Sequence, residues 1–241
     1  RTGRDDLAVL DVCWASAYRM HARLADRYRD GRAFLIGDAA HTHPPTGGQG
    51  LNTSAQDAYN LGWKLAAVLK GAPQALLDTY EEERRPIAAS MLGLATTLLA
   101  QAQRGDNRRG RDVQQLDLAY PESSLTLPAD AGSGRIAPGS RAPDAPLEGA
   151  GRQRVRLFDV LRGTHWTLLG YACDRSNAPS RAGLRVHVIG PAGDLRDVEG
   201  HFVEAYGVQP GEWLLIRPDG YVAAVVDTSR IDILEGHFGA Y

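Results

Sequence analysis

Two regimes of apolar patterning follow one another along this chain, with a stretch that has neither between them. Residues 7 to 14, LAVLDVCW, alternate loosely and carry β-branched and aromatic side chains, which predicts a strand leading into the basic stretch YRMHARLADRYRDGR. Residues 33 to 37, AFLIG, predict a short buried strand that delivers the carboxylate of Asp38 at its carboxyl end, where open α/β sheets place their ligands. The loop HTHPPTGGQG has no period. From Asn52 to Lys70 the apolar positions Ala55, Ala58, Leu61, Leu65 and Val68 predict a helix closed by Gly71. A second helix is predicted from near Pro73 through LLDTYEEERRPIAASMLGLATTLLAQ, with Pro86 kinking or splitting it.

From about Gly105 to Pro146 the composition turns to charge clusters, Gly, Ser and Pro, which reads as a linker region. The segments RVRLFDVL, HWTLLGYA and LRVHVIG, a helical VEGHFVEAYG, the run EWLLIRPDGYVAAVV with a Pro-Asp-Gly turn, and a last helix near Ile231 to Phe238 then predict a compact α/β unit. The expected organisation is a first domain over 1–104, a linker over 105–135 and a second domain over 136–241.

Composition narrows the function classes. The 241 residues carry 27 basic and 29 acidic side chains, a formal net charge of -2, so no overall field gathers phosphates and nucleic acid is not an expected partner. No apolar run reaches the roughly 20 residues that cross a bilayer, so no membrane partner is expected and the chain is placed in the cytoplasm. Cys13 and Cys173 are far apart, without Cys-x-x-Cys or metal spacing, and both are expected as buried thiols. The chain begins at Arg1 inside a plausible strand, which reads as a piece of something longer.

Candidate chemistry concentrates after residue 31. A carboxylate at a strand end, Asp38, can accept hydrogen bonds from ligand hydroxyls such as those of a sugar or ribityl chain. Gly47 and Gly48 remove side chains that would keep a flat ring from the backbone. The amides of Gly50, Leu51 and Asn52 open a helix whose dipole favours negative charge.

The stretch Gly31-Arg32, Gly37-Asp38-Ala39-Ala40-His41, Pro44-Pro45, Gly47-Gly48-Gln49-Gly50-Leu51-Asn52, Asp57-Ala58, Asn60-Leu61 and Trp63-Lys64-Leu65 closely resembles the second FAD-binding motif of the class A flavoprotein monooxygenases, the para-hydroxybenzoate hydroxylase type. The resemblance implies that Asp38 holds the ribityl chain, that Pro45 sits beside the reactive edge of the isoalloxazine, and that the backbone of Gly50, Leu51 and Asn52 faces its pyrimidine end. It implies FAD as cofactor, NAD(P)H as reductant, and hydroxylation of an aromatic, phenolic or polyketide substrate through a flavin hydroperoxide. APGSRAPDAPL, RLFDVLRGTHWTLL and LLIRPDGYVAAVV resemble the thioredoxin-like appendage of the polyketide, phenol and rifampicin hydroxylase branch. Thioredoxin-type cysteines are missing, so a structural or oligomerisation role is expected there. The implied fold class is α/β, a partial FAD-binding segment with helices followed by a thioredoxin-like α/β domain.

No Gly-x-Gly-x-x-Gly precedes residue 31, so the ADP half of FAD has no site in this chain, which is expected to bind FAD weakly or not at all and to be inactive alone. No side chain is singled out as a catalytic acid or base. Two other readings stay open: a non-catalytic binding or assembly module, and an FAD site completed by an amino-terminal half on a separate chain. A homo-oligomer is a further expected partner. His41 and His43 lack a third ligand and are read as loop-stabilising or solvated, with no metal. Asp57, Asn60 and Lys64 are read as the solvated side of the first helix, with a structural bond near the loop as the alternative for Asp57. EEERR at 81 to 85 is read as an intrahelical salt-bridge network, RGDNRRGR as a solvated linker, and Trp63, Trp166 and Trp213 as core or interface. Arg23 and Arg32 are divided evenly between surface pairing and a flavin phosphate or partner carboxylate.

Overall fold

The first long apolar stripe does form a helix. The structure, a computed structural model, describes residues 6, 8, 10–17, 21–44, 48–104, 114–128 and 136–240. Four two-residue strands open the described chain: β1 (Arg23–Leu24), β2 (Arg29–Asp30), β3 (Ala33–Phe34) and β4 (His41–Thr42). Strand β1 pairs with β4, and β2 with β3, both antiparallel. Helix α1 (Gly50–Leu69) begins two residues before the expected Asn52, and Lys70 and Gly71 cap it through bonds to the carbonyls of Ala67 and Val68. After a 3-10 turn at Gln74–Leu77, helix α2 (Asp78–Gln103) runs on unbroken past Pro86. Tyr28, Ala40, Leu61, Leu77, Tyr80 and Ala88 form the core between these helices and the small hairpins.

Two expectations for this half are corrected. The run 33 to 37 is not a buried strand: only Ala33 and Phe34 pair, Leu35 and Ile36 are exposed, and Asp38 lies in a 3-10 turn, Gly37–Ala39. An apolar run can be read as a buried strand only if a sheet covers both its faces, and here the neighbours are one hairpin and α2. Residues 10 to 17, the described part of the expected strand that carries Cys13, are exposed and unpaired in any strand, so Cys13 is an exposed thiol.

The second half is built on one sheet. It comprises β5 (Pro146–Gly149), β6 (Arg154–Arg156), helix α3 (Leu157–Leu161), β7 (Trp166–Tyr171), β8 (Leu184–Ile189), β9 (Leu195–Arg196), helix α4 (His201–Tyr206), β10 (Glu212–Ile216), β11 (Val222–Asp227) and helix α5 (Ile233–Ala240). The strand order is β11-β10-β7-β8-β9-β5-β6. Strands β7 and β8 are parallel, while β10 runs antiparallel to both β7 and β11, so β8, β7, β10 and β11 make the thioredoxin-like unit. The crossover between the parallel pair carries a single 3-10 turn, Arg175–Asn177. Period-2 alternation separates the two faces: Leu214 and Ile216 pack with Leu169, Phe202 and Tyr206, whereas Trp213 and Leu215 pack with Leu168, Val226 and Leu234. Burial on both faces explains why β10 and β11 read as almost continuous apolar runs.

Within the stretch expected as linker, Gln115, Tyr120, Ser123 and Leu125 are buried. Leu125 sits in a cluster with Trp63 and Leu76, and Leu127 donates its amide to the carbonyl of Ala223 in β11. That segment therefore packs between the helices and the sheet.

Candidate functional site

The Gly37–Ala39 turn, strand β4 and the start of α1 enclose a groove of about 640 Å³ lined by Asp38, Thr42, His43, Gly48, Gly50, Leu51 and Ser54. Its backbone geometry demands glycine at one point above all. Gly37 has φ of +57°, and a Cβ there would lie 3.0 Å from the Ser54 hydroxyl, so the turn can press against α1 only without a side chain. At the helix start the first intrahelical bond runs from Thr53 N–H to the Gln49 carbonyl at 2.9 Å. The amides of Gly50, Leu51 and Asn52 precede that bond, at the amino end of α1 where the helix dipole favours negative charge. Asp38 and Leu51 are exposed at its mouth.

Of the residues expected to hold a cofactor, Asp38, Gly48, Gly50 and Leu51 line this groove, and Asn52 follows them in the first turn of α1. Pro45 and Gly47 lie outside the described residues. The donor set suits a ligand rich in acceptor atoms with hydroxyls near one carboxylate. Thr42 Oγ1 and His43 Nε2 are also buried there with no hydrogen-bond partner among the described residues. Burial, with His41 next to it, lowers the His43 imidazole below its ordinary value, so at neutral pH it is uncharged. These features fit the ribityl and pyrimidine edge of a flavin.

Beneath the groove, residues read from the sequence as a solvated helix face form a buried polar network. Asp57 Oδ2 accepts from Gly37 N–H at 3.2 Å and lies 2.6 Å from His41 Nε2, while Oδ1 accepts from Arg84 Nε at 2.8 Å. Burial by itself would raise the Asp57 carboxyl, but His41 and Arg84 outweigh it and hold it below the ordinary range. An ionised carboxylate only accepts, so the His41 Nε2 carries the hydrogen. Arg84 reaches on to the Tyr120 hydroxyl at 2.8 Å and the Thr53 carbonyl at 3.3 Å.

A second buried cluster joins the helices to the sheet. Glu83 accepts from Lys64 at 2.7 Å, Asn60 at 2.7 Å and Ser123 at 2.5 Å, and takes both ends of the Arg217 guanidinium. Arg217 also bonds Asp219, whose Oδ2 accepts from Trp63 Nε1 at 3.0 Å. Desolvation pulls the Lys64 ammonium down to about 8, with Glu83 working against it. Instead of pairing along α2, residues 81 to 85 each reach off the helix: Glu81 takes the amides of Tyr28 and Arg29, Glu82 takes Ser124, and Arg85 donates to the Ala25 carbonyl. The sequence signal was present in the i, i+3, i+7 spacing of Asp57, Asn60 and Lys64, faced by Glu83 and Arg84, but period alone cannot tell a polar stripe that meets water from one that meets another polar stripe.

Among the described residues no group of three or more His, Cys, Asp or Glu could hold a metal, and no helix is long and apolar enough to cross a membrane. Cys173 is half-buried, its Sγ 3.3 and 3.4 Å from the carbonyls of Glu212 and Tyr171.

Comparison with known proteins follows the same division. Residues 1–95 match the FAD binding domain family, and residues 135–239 match the family described as aromatic-ring hydroxylase, C-terminal. A flavin-dependent monooxygenase of Mycobacteroides abscessus is 46% identical over 230 residues, covering 95% of this chain and 45% of the relative. Pentachlorophenol 4-monooxygenase of Sphingobium chlorophenolicum is 35% identical over 268 residues, covering 95% of this chain and 49% of the relative. Among solved structures, aklavinone-11 hydroxylase in ternary complex with FAD and aklavinone superposes with a TM-score of 0.76 at 34% identity, covering 92% of this chain and 45% of that one. The chain thus spans about half the length of the relatives it matches.

Proposed function

We propose, for a chain that is similar through both its segments to the class A FAD-dependent aromatic hydroxylases, that it supplies the flavin-ring side of an aromatic monooxygenase. The observation that carries this reading is the groove lined by Asp38, Gly48, Gly50 and Leu51 at the amino end of α1. Asp38 would accept from the ribityl hydroxyls, and the helix start would receive the pyrimidine oxygens. Positive partial charge at the amino end of α1 would favour negative charge on the reduced ring by about 0.3–1 kcal/mol. Bound FAD would supply the redox and oxygen chemistry, with NAD(P)H as the reductant and an electron-rich aromatic or polyketide ring as substrate. This chain's own residues bind and orient, and Leu51, exposed at the groove's mouth, offers apolar surface beside it.

Titration with riboflavin, which carries only the ring and ribityl chain, and with FAD tests the reading through flavin fluorescence. Saturable quenching that weakens in Asp38→Ala is the expected result. Equal responses of the wild type and Asp38→Ala, or none with either flavin, would remove the assignment.

A further inference from the structure

We infer that Asp57 is the positioning residue of the flavin-facing turn, one carboxylate gripping both ends of the Gly37–His41 segment and so fixing where Asp38 projects. Its meaning for a flavin rests on the function proposed above; its structural content stands on geometry. Oδ2 serves the Gly37 amide at 3.2 Å and His41 Nε2 at 2.6 Å, the two ends of the turn that carries Asp38. Oδ1 is anchored by Arg84 Nε at 2.8 Å. The side chains of His41, Asp57 and Arg84 are all fully buried. Arg84 is itself fixed by Tyr120 and by the carbonyl of Thr53, in the first turn of α1.

This arrangement differs from ordinary core packing in a testable way. A buried carboxylate whose acceptor sites are shared among a backbone amide, an imidazole and a guanidinium sets the relative position of three segments: the turn, β4 and α2. Backbone bonds also tie the segment, Ala40 N–H to the Gly37 carbonyl and Ala25 N–H to the Ala40 carbonyl, both at 2.8 Å, but it is the Asp57 side chain that bonds Gly37 and His41 together. Asp38 is exposed, Leu35 and Ile36 before it are exposed, and Gly37 has a left-handed backbone that is not self-stabilising. Loss of the Asp57 contacts should therefore release the turn selectively.

Hydrogen exchange on the whole chain decides the matter with two variants, Asp57→Asn and His41→Gln. Exchange of the 37–41 amides should accelerate by at least about tenfold in both, while residues 58–69 of α1 stay within about twofold of wild type. A slowly exchanging His41 Nε2–H proton, seen by NMR in the wild type, should vanish in Asp57→Asn. Riboflavin affinity should fall by about tenfold in both variants, the counterpart of losing one charge-assisted bond. Unchanged exchange in the turn, or acceleration spread evenly over α1 and α2, would overturn the inference. If Asp57→Asn fails to fold, His41→Gln still decides, because it leaves the Asp57–Arg84 pair intact. If the wild type binds no riboflavin, the flavin reading falls while the exchange data still judge what holds the turn.

Discussion

The guanidinium of Arg217, just after β10, straddles the carboxylate of Glu83 on α2, with Nη1 2.5 Å from Oε1 and Nη2 2.9 Å from Oε2. The rings of Trp63, Tyr120 and Tyr221 surround the same guanidinium at 5.3–5.7 Å. Both charged side chains are fully buried, so the pair has no solvent to fall back on if one member is lost. Arg217→Met should destabilise the chain by about 3–5 kcal/mol, because Asp219 and Glu83 would stay buried with their main cation gone. Urea unfolding measures this, and a loss below about 1 kcal/mol would mean that the pair is not closed to water.

Acid should act through the same buried carboxyls. Burial alone would raise Glu83, but Arg217 and Lys64 hold it far below its ordinary 4.5, as His41 and Arg84 hold Asp57 below 3.8. For a depressed carboxyl the unfolded chain takes up protons first as pH falls, so the stabilisation is complete above those ordinary values and drains away below them. Urea midpoints should fall gently below about 6.5, where the depressed imidazoles of His43, His165, His187 and His237 are protonated first in the unfolded chain, and drop steeply below about 4. Glu83→Gln should start less stable and show a shallower acid slope; an unaltered slope would assign the acid limb to other groups.

Gly37→Ala tests the left-handed turn. Its φ of +57° and the 3.0 Å approach to Ser54 both oppose a methyl group. A loss of about 1–2 kcal/mol is expected from the backbone term alone, together with weaker riboflavin binding. Adding Ser54→Gly should relieve the contact but not the backbone strain, so only partial recovery is expected. Full recovery would make the clash the whole cause.

Leu125→Ala tests whether residues 114–128 belong to the packed structure. Leu125 has no exposed surface and packs with Trp63 and Leu76. A cost of about 2–5 kcal/mol in the urea transition is expected for a core leucine. A free tether would tolerate the change with no measurable effect.

The two thiols should separate by reactivity. Cys13 is exposed, whereas Cys173 is half-buried and burial raises its thiol above the ordinary value. Titration of the native chain with a thiol reagent should show one fast group, lost in Cys13→Ser, and one slow group that becomes fast on unfolding. Two fast groups would contradict the packing around β7.

Local chemistry alone determined much of this molecule. The stripe Leu61, Leu65, Val68 is enough to make α1, since a 3.6-residue period leaves one face to bury, and the Pro-Asp-Gly between two apolar runs is enough to turn β10 into β11. Asp38, Gly48 and Gly50, singled out by residue type, line one groove, whereas Thr42, His43 and Ser54 in the same lining carried no such signal. Tertiary structure decided everything that depends on what faces what. AFLIG is apolar enough for a buried strand, yet only the neighbours of Leu35 and Ile36 settle whether it is covered. Asp57, Asn60 and Lys64 are polar in any reading, but whether they meet water or Arg84, Glu83 and Asp219 depends on residues 19 to 159 positions away. Side-chain type sets what a group can bond; only the fold sets the dielectric around it and the partner within reach.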